Sequence, residues 1–202
     1  MTRDNYLKLS YVTEFCQWFS TRLESRNLAH SWVDRRSGQC LHFDHIYDAF
    51  TKYDWRFSLL IPGHSLHSGR SFGENHAALK ILQAGLRSAV TGEHDMDTLC
   101  WSRAVMRWGG VFPRNGEWLR ENSKGLAAYL ASRSKQLNGS GADESKLDGF
   151  ERFNSGMSKI YSLLADDFII YDTRVAAALG WIIVKFCQEL SVNLVPEALR
   201  CP

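Results

Sequence analysis

No Cys-x-x-Cys pair occurs among the five cysteines, Cys16, Cys40, Cys100, Cys187 and Cys201. Their odd number and wide spacing argue against a disulfide framework and against a zinc site. No apolar signal core follows Met1-Thr-Arg-Asp-Asn. The longest apolar run lies within Val175–Ile183 and on to Phe186. Gly180 and Lys185 interrupt it, and it is too short to span a bilayer. The expectation is a cytoplasmic protein with no membrane contact. There is no internal repeat and no low-complexity tract. Sustained alternation of period two is absent, which argues against a sheet. His-Glu-x-x-His is missing, and the pairs His42/His45 and His64/His67 offer too few convergent ligands for a metal site. Gly69-Arg-Ser-Phe-Gly73 lacks the spacing of a phosphate-binding fingerprint, and no Gly-x-Ser-x-Gly element suggests a serine hydrolase.

What is present is an ordinary globular composition, 45% hydrophobic and 23% charged, which is enough for a real core. Seven tryptophans and eleven phenylalanines form a heavy aromatic load, most of it expected inside. The net charge is only +2, but it is unevenly spread. Residues 101–140 hold seven Arg/Lys against Glu117 and Glu121, so that segment is +5 and the remainder −3. A local basic patch on a near-neutral chain fits either a phosphate-binding face or a solvated helix surface.

Apolar spacing predicts a succession of helices. The first spans about Tyr6–Leu28 on Val12, Phe15, Phe19 and Leu23. Short helices are expected around Phe43–Phe50, with a loop across Ile61–Gly73. A helix from Glu74 to Val90 stops at Gly92, and another, capped by Asp97 or Thr98, ends at Gly109-Gly110. Asn115 is read as the cap of a helix over Glu117–Leu137. Asn138-Gly-Ser-Gly-Ala-Asp reads as a linker between a part spanning 1–137 and a compact unit spanning 143–202 of one domain. The fold class expected is all-α.

Chemistry concentrates in Phe150–Leu190. A short helix is expected to end near Phe153, Asn154-Ser155-Gly156 to make a tight turn, and a second helix to run from Met157 to about Asp166. Asp172 stands where an N-cap belongs, ahead of the apolar helix of Val175, Leu179, Ile182, Phe186 and Leu190. Lys159 sits at the flank of the Ile160, Leu163, Leu164 stripe, where partial burial is expected. On spacing alone, such a lysine reaches to water and such an aspartate only caps its helix.

Hairpin, lysine, helix, then an aspartate opening the next helix resembles the helix-hairpin-helix DNA glycosylases. Ser158-Lys159-Ile160-Tyr161 with Ile170-Tyr171-Asp172-Thr173-Arg174-Val175 is similar to their lysine-bearing bifunctional members, in particular a bacterial 8-oxoguanine glycosylase-like group. Trp108-Gly-Gly-Val-Phe-Pro-Arg114-Asn115-Gly-Glu-Trp118 resembles that group as well. The resemblance implies a DNA glycosylase with AP-lyase activity, and Lys159 as nucleophile with Asp172 as its carboxylate partner. It implies DNA contacts at Asn154, Ser155, Gly156, Ser158 and Arg174, and a base pocket drawing on Trp108, Arg114, Asn115 and Trp118, with Trp101 a further candidate ring. The target base would be oxidised guanine or another modified base, a hypermodified phage base included, reached by flipping it from the duplex. No organic cofactor is implied; a monovalent cation at the hairpin is compatible with it. The family turn usually reads Leu-Pro-Gly-Val-Gly-x-Lys, whereas this chain has Ser155 and Met157 at the glycine positions with Gly156 between them. DNA is the partner expected, and no obligate protein partner is evident. Two other readings stay open: a non-catalytic helical DNA-binding module and a helical protein-interaction domain.

Overall fold

The computed structural model describes residues 1, 3–33, 38–138 and 152–200. Among them the chain is mostly helical, with nine α-helices and two antiparallel β-hairpins. In order these are α1 (Arg3–Leu7), α2 (Ser10–Ser20), β1 (His30–Val33), β2 (Cys40–Phe43), α3 (Ile46–Thr51), β3 (Phe57–Leu60), β4 (Leu66–Gly69), α4 (Phe72–Thr91), α5 (Asp95–Trp108), α6 (Phe112–Glu121), α7 (Leu126–Asn138), α8 (Met157–Leu164) and α9 (Thr173–Glu189). No helix among the described residues is long and apolar enough to cross a membrane. Backbone packing groups the chain into two compact units. One comprises Met1–Arg3 and Asp54–Val175, the other Asp4–Tyr53 and Ala176–Pro202. The expected linker from Gly139 on and the body of the first helix of the expected hairpin lie on residues 139–151, outside the described residues; Asn138 closes α7, and Arg152 and Phe153, where that first helix is expected to end, are not helical.

The larger unit is built on α4. Its start is fixed by a capping box: the Ser71 hydroxyl accepts from the Glu74 N–H, and the Glu74 carboxylate accepts in return from the Ser71 N–H. The backbone N–H of Arg70 and the Ser71 hydroxyl and N–H together pull the Glu74 carboxyl down to about 2. Asn75, Ala78, Leu82, Leu86 and Ala89 form the buried stripe of this helix. Val105 and Met106 of α5, Leu119 of α6, Leu130 of α7 and Ile160 and Tyr161 of α8 join them in one continuous core. Gly85 lets α4 and α5 close, since a Cβ there would stand 2.3 Å from the Trp101 ring.

Asp95, in the first turn of α5, accepts hydrogen bonds from the N–H groups of Gly125 (2.7 Å) and Ala127 (3.0 Å). It thereby satisfies free donors at the start of α7, and those bonds hold its carboxyl below the ordinary value. The helix expected over Glu117–Leu137 is therefore two helices. Its expected cap, Asn115, lies inside α6, whose first turn carries Pro113. Gly125 takes φ +78° between them. The expected cap of α5 is likewise displaced. The helix begins at Asp95, with His94 at the cap position, and Asp97 and Thr98 lie within the helix.

The smaller unit is organised around Phe186, which is fully buried. Phe15 and Trp18 of α2 meet its ring edge-on, both at 5.5 Å between centroids. Val12, Leu28, Ile182, Ile183, Cys187 and Leu199 complete this core. The expected helix over Tyr6–Leu28 is broken into α1 and α2 and ends at Ser20.

The hairpins correct the purely helical expectation. β1 and β2 are exposed on both faces, so no buried row imposes alternation. In β3 only Phe57 and Leu59 are buried, too short a run to register as a period. β4 lies where a loop over Ile61–Gly73 is expected, and its Gly69 faces the Phe57 ring, where a Cβ would stand 2.9 Å away. Likewise the short helix expected around Phe43–Phe50 is α3, which starts only at Ile46, Phe43 being the last residue of β2.

Gly85→Ala should lower stability by about 1–3 kcal/mol through overpacking against Trp101, read as a fall in the urea midpoint at unchanged slope. An unchanged midpoint would contradict the α4–α5 contact described.

Candidate active site

The site begins with the turn ahead of α8. Asn154 makes it without the usual glycine pair. Its side-chain oxygen accepts from the N–H groups of Gly156 (2.9 Å) and Met157 (3.0 Å), capping the helix from two residues before Gly156. The Asn154 amide donates in turn to the side-chain oxygen of Asn115 at 3.1 Å. Asn115 is buried and donates to the Val111 carbonyl. Gly156 is required here, because a Cβ would lie 2.2 Å from the Asn115 amide nitrogen. Hence α6 braces the turn through one asparagine pair.

Lys159 follows one helical step later and is only 4% exposed. Its ammonium donates to the Ser155 carbonyl at 3.0 Å and to Asp172 Oδ2 at 3.2 Å. The aliphatic stem lies against Gly109, where a Cβ would meet Lys159 Cδ at 2.4 Å. Gly109 thus ends α5 and also clears the space that the stem fills. Ser158, the neighbouring residue, is fully buried. Its hydroxyl donates to the Tyr171 carbonyl at 2.9 Å and accepts from the Tyr171 N–H at 3.2 Å. This clasp fixes the connector immediately before Asp172.

Asp172 uses its two oxygens differently. Oδ2 takes the lysine, while Oδ1 accepts from the N–H groups of Arg174 (3.0 Å) and Val175 (3.2 Å) at the start of α9. Partial burial by itself raises the carboxyl. The Val175 N–H, the Lys159 ammonium and the Arg174 N–H outweigh it and hold Asp172 below the ordinary aspartate value. The pair is therefore an ammonium beside a carboxylate in a mostly dry setting.

The surrounding residues fall into two sets. Trp108 is buried, its indole N–H donating to Asn75 Oδ1 at 2.8 Å. The Trp55 N–H donates to the Trp108 carbonyl at 3.1 Å, and the Arg174 guanidinium lies 4.7 Å over the half-buried Trp55 ring. Tyr161 is fully buried, and its hydroxyl donates to the Arg152 carbonyl at 3.0 Å. Burial first, and then the neighbouring Tyr129 hydroxyl, push its phenol upward. Trp118 packs on Tyr129 and under Arg152, while Arg114 is exposed on α6. Trp101 packs against Gly85.

Thus Lys159, Asp172, Asn154, Gly156 and Arg174 lie together, with Asn115 behind the turn. Ser158 and Asn115, expected at the DNA and at the base, instead spend their polar groups on holding the turn and connector. The stretch between the helix stop at Gly109-Gly110 and the helix expected from Glu117 is mostly the start of α6. The sequence reading misses Trp55 and Asn75 and takes Gly109 only as a helix stop. Asn75 carried a signal, as a polar residue on the core stripe of α4, whereas Trp55 carried none.

The carbonyls of Asn154, Ser155 and Gly156 already accept from Ser158 N–H, Lys159 Nζ and Lys159 N–H. With Ser155 in place of a glycine as well, the turn fits a bound cation poorly. His42 is engaged with Ser31 and Asp44, and His45 caps α3. No cluster of three metal-ligating side chains occurs among the described residues. No family model, curated protein or solved structure matches the chain.

Asp172→Asn leaves the Lys159 ammonium buried beside a neutral amide. It should cost about 2–4 kcal/mol in urea unfolding at pH 7, toward the low end because the carboxylate is partly exposed. The depressed carboxyl contributes stability that is complete well above the unfolded aspartate value. That contribution is lost as pH falls from about 4 downward through the folded value. The wild-type chain should therefore lose stability on acidification more steeply than the variant. Parallel pH profiles for the two proteins would contradict the pairing.

Proposed function

We propose that the chain is a DNA glycosylase with AP-lyase activity, acting through Lys159 and Asp172. The observation that carries the reading is the buried Lys159 ammonium 3.2 Å from a helix-capping carboxylate, directly after a tight turn. Its support from the sequence is the resemblance to lysine-bearing helix-hairpin-helix glycosylases.

The chemistry follows from the parts. Once a nucleotide is turned out of the duplex, the bond between base and sugar breaks through a cation-like sugar. The Asp172 carboxylate, kept ionised by two backbone N–H groups, is placed to stabilise that positive charge. The Lys159 ammonium passes a proton to the departing base, and the freed amine forms the Nζ–C1′ bond as the bond from C1′ to the base breaks. Opening of the sugar moves a second Nζ proton to the ring oxygen and leaves a Schiff base between C1′ and Nζ; loss of a C2′ proton to the released base then eliminates the 3′ phosphate. Gly109 and Ser155 aim the amine, and burial keeps water from competing for C1′. The modified base accepted is oxidised guanine or another modified base. Trp55, a half-buried ring beside Arg174, is a better placed stacking surface than buried Trp108.

The same lysine and aspartate also suit a purely structural tie in a DNA-binding module, and one experiment separates the two. Abasic-site duplex is incubated with the protein and borohydride, beside Lys159→Met, which keeps the stem against Gly109. The expected result is a covalent adduct for the wild type and none for the variant. Equal adduct from both proteins, or none from either, would sink the lysine mechanism.

A further inference from the structure

Among the described residues five arginines are each paired with a carboxylate: Arg3 with Asp167, Arg22 with Glu189, Arg26 with Asp44, Arg70 with Asp54 and Arg87 with Asp166. Arg103 and Arg107 are not. They stand one turn apart on α5, and among the described residues neither has an acidic partner. Both guanidinium groups instead lie on the ring of Phe112, at 5.3 Å and 4.9 Å from its centre. Like charges four residues apart on a helix repel, so this pairing is tolerated rather than stabilising for α5 itself. The shared ring does something specific. It carries both cations without taking up their N–H donors, for which no acceptor is found among the described residues.

Both arginines line a cleft of about 350 Å³ between α5 and the tip of the β3–β4 hairpin. Pro62 and His64 line it on the hairpin side, and Cys100, Arg103, Ala104 and Arg107 on the helix side. The cleft carries two fixed positive charges and an imidazole, and no carboxylate lines it. Arg107 lies two residues before Gly109, on which the Lys159 stem rests.

We infer that this cleft binds the phosphodiester backbone of nucleic acid, with Arg103 and Arg107 each taking one phosphate. The inference rests on the proposed DNA chemistry and adds a second contact to it, apart from the turn at Asn154–Gly156. A strand offers one phosphate per about 3.4 Å of helix axis. Side chains one helical turn apart, about 5–6 Å at Cβ, can therefore meet neighbouring phosphates. A free phosphate would engage only one such fork well, and the openness of the cleft to solvent suits a passing chain.

The test measures binding to a duplex carrying a tetrahydrofuran abasic analogue, by fluorescence anisotropy, between about 50 and 200 mM salt. Compared are the wild type, the double variant Arg103→Gln/Arg107→Gln, and Arg70→Gln as a carboxylate-paired arginine. All three are first matched for thermal melting. The double variant is expected to bind more weakly and to lose roughly 1.8 from the slope of log K against log salt, about 0.9 for each phosphate released. Arg70→Gln should leave the slope as it is. Borohydride trapping at saturating protein should persist in the double variant. Trapping that persists with an unaltered slope would overturn the arginine site alone. A wild type that neither traps nor binds in a salt-dependent way would overturn both this site and the proposed function. Displacement of the duplex by inorganic phosphate well ahead of chloride at matched ionic strength would reassign the cleft to a small anion and overturn the inference as stated.

Discussion

An ammonium group removed from water has to be compensated on the spot, and the burial of Lys159 constrains much of the larger unit. The Ser155 carbonyl supplies one acceptor and the Asp172 carboxylate the other. Each acceptor must be held in position, and each is held by a different element. Ser155 is fixed by the Asn154 turn, which α6 braces through Asn115. Asp172 is fixed by the start of α9 and by the Ser158–Tyr171 clasp. The stem is fixed by the end of α5 at Gly109. A single buried cation thus ties together four helices and a connector.

The polar groups behind this pair are joined in a chain of hydrogen bonds. Asn75 is one link. It sits on an otherwise apolar stripe, donates to the carbonyls of Trp55, Arg70 and Ser71, and accepts from the indole of Trp108. Trp108 in turn accepts from Trp55, whose ring carries the Arg174 guanidinium. A hydrogen-bonded chain of this kind rigidifies its surroundings. It runs from the capped start of α4 to the residue that follows Asp172 by two. Rigid positioning is what a reacting amine needs, since small displacements are costly to catalysis.

Long amphipathic segments were legible because one face alone pays for burial. α4 was expected over Glu74–Val90 and spans Phe72–Thr91. The turn at Asn154–Gly156, the start of α8 at Met157 and the capping role of Asp172 were also readable, since each rests on local chemistry. What escaped depends on distant partners. Asn115 reads as a cap because asparagine favours caps, yet its amide is consumed by a turn 39 residues away in sequence. Asp95 looks like an ordinary first-turn acid, while its bonds serve the start of α7. The β1–β2 hairpin buries neither face, so its residues leave no alternation to detect. Lys159 was placed at a helix edge, but its deep burial arises from Gly109, a residue that by itself signals only the end of a helix.

The most direct measurement is to map the attachment point of trapped DNA. After borohydride reduction on abasic duplex and nuclease trimming, trypsin digestion and mass spectrometry locate the remnant. The account predicts it on Lys159, within a Phe153–Arg174 peptide whose cleavage after Lys159 is blocked. A remnant on the Met1 amine, on Lys124 or on Lys135 would contradict it.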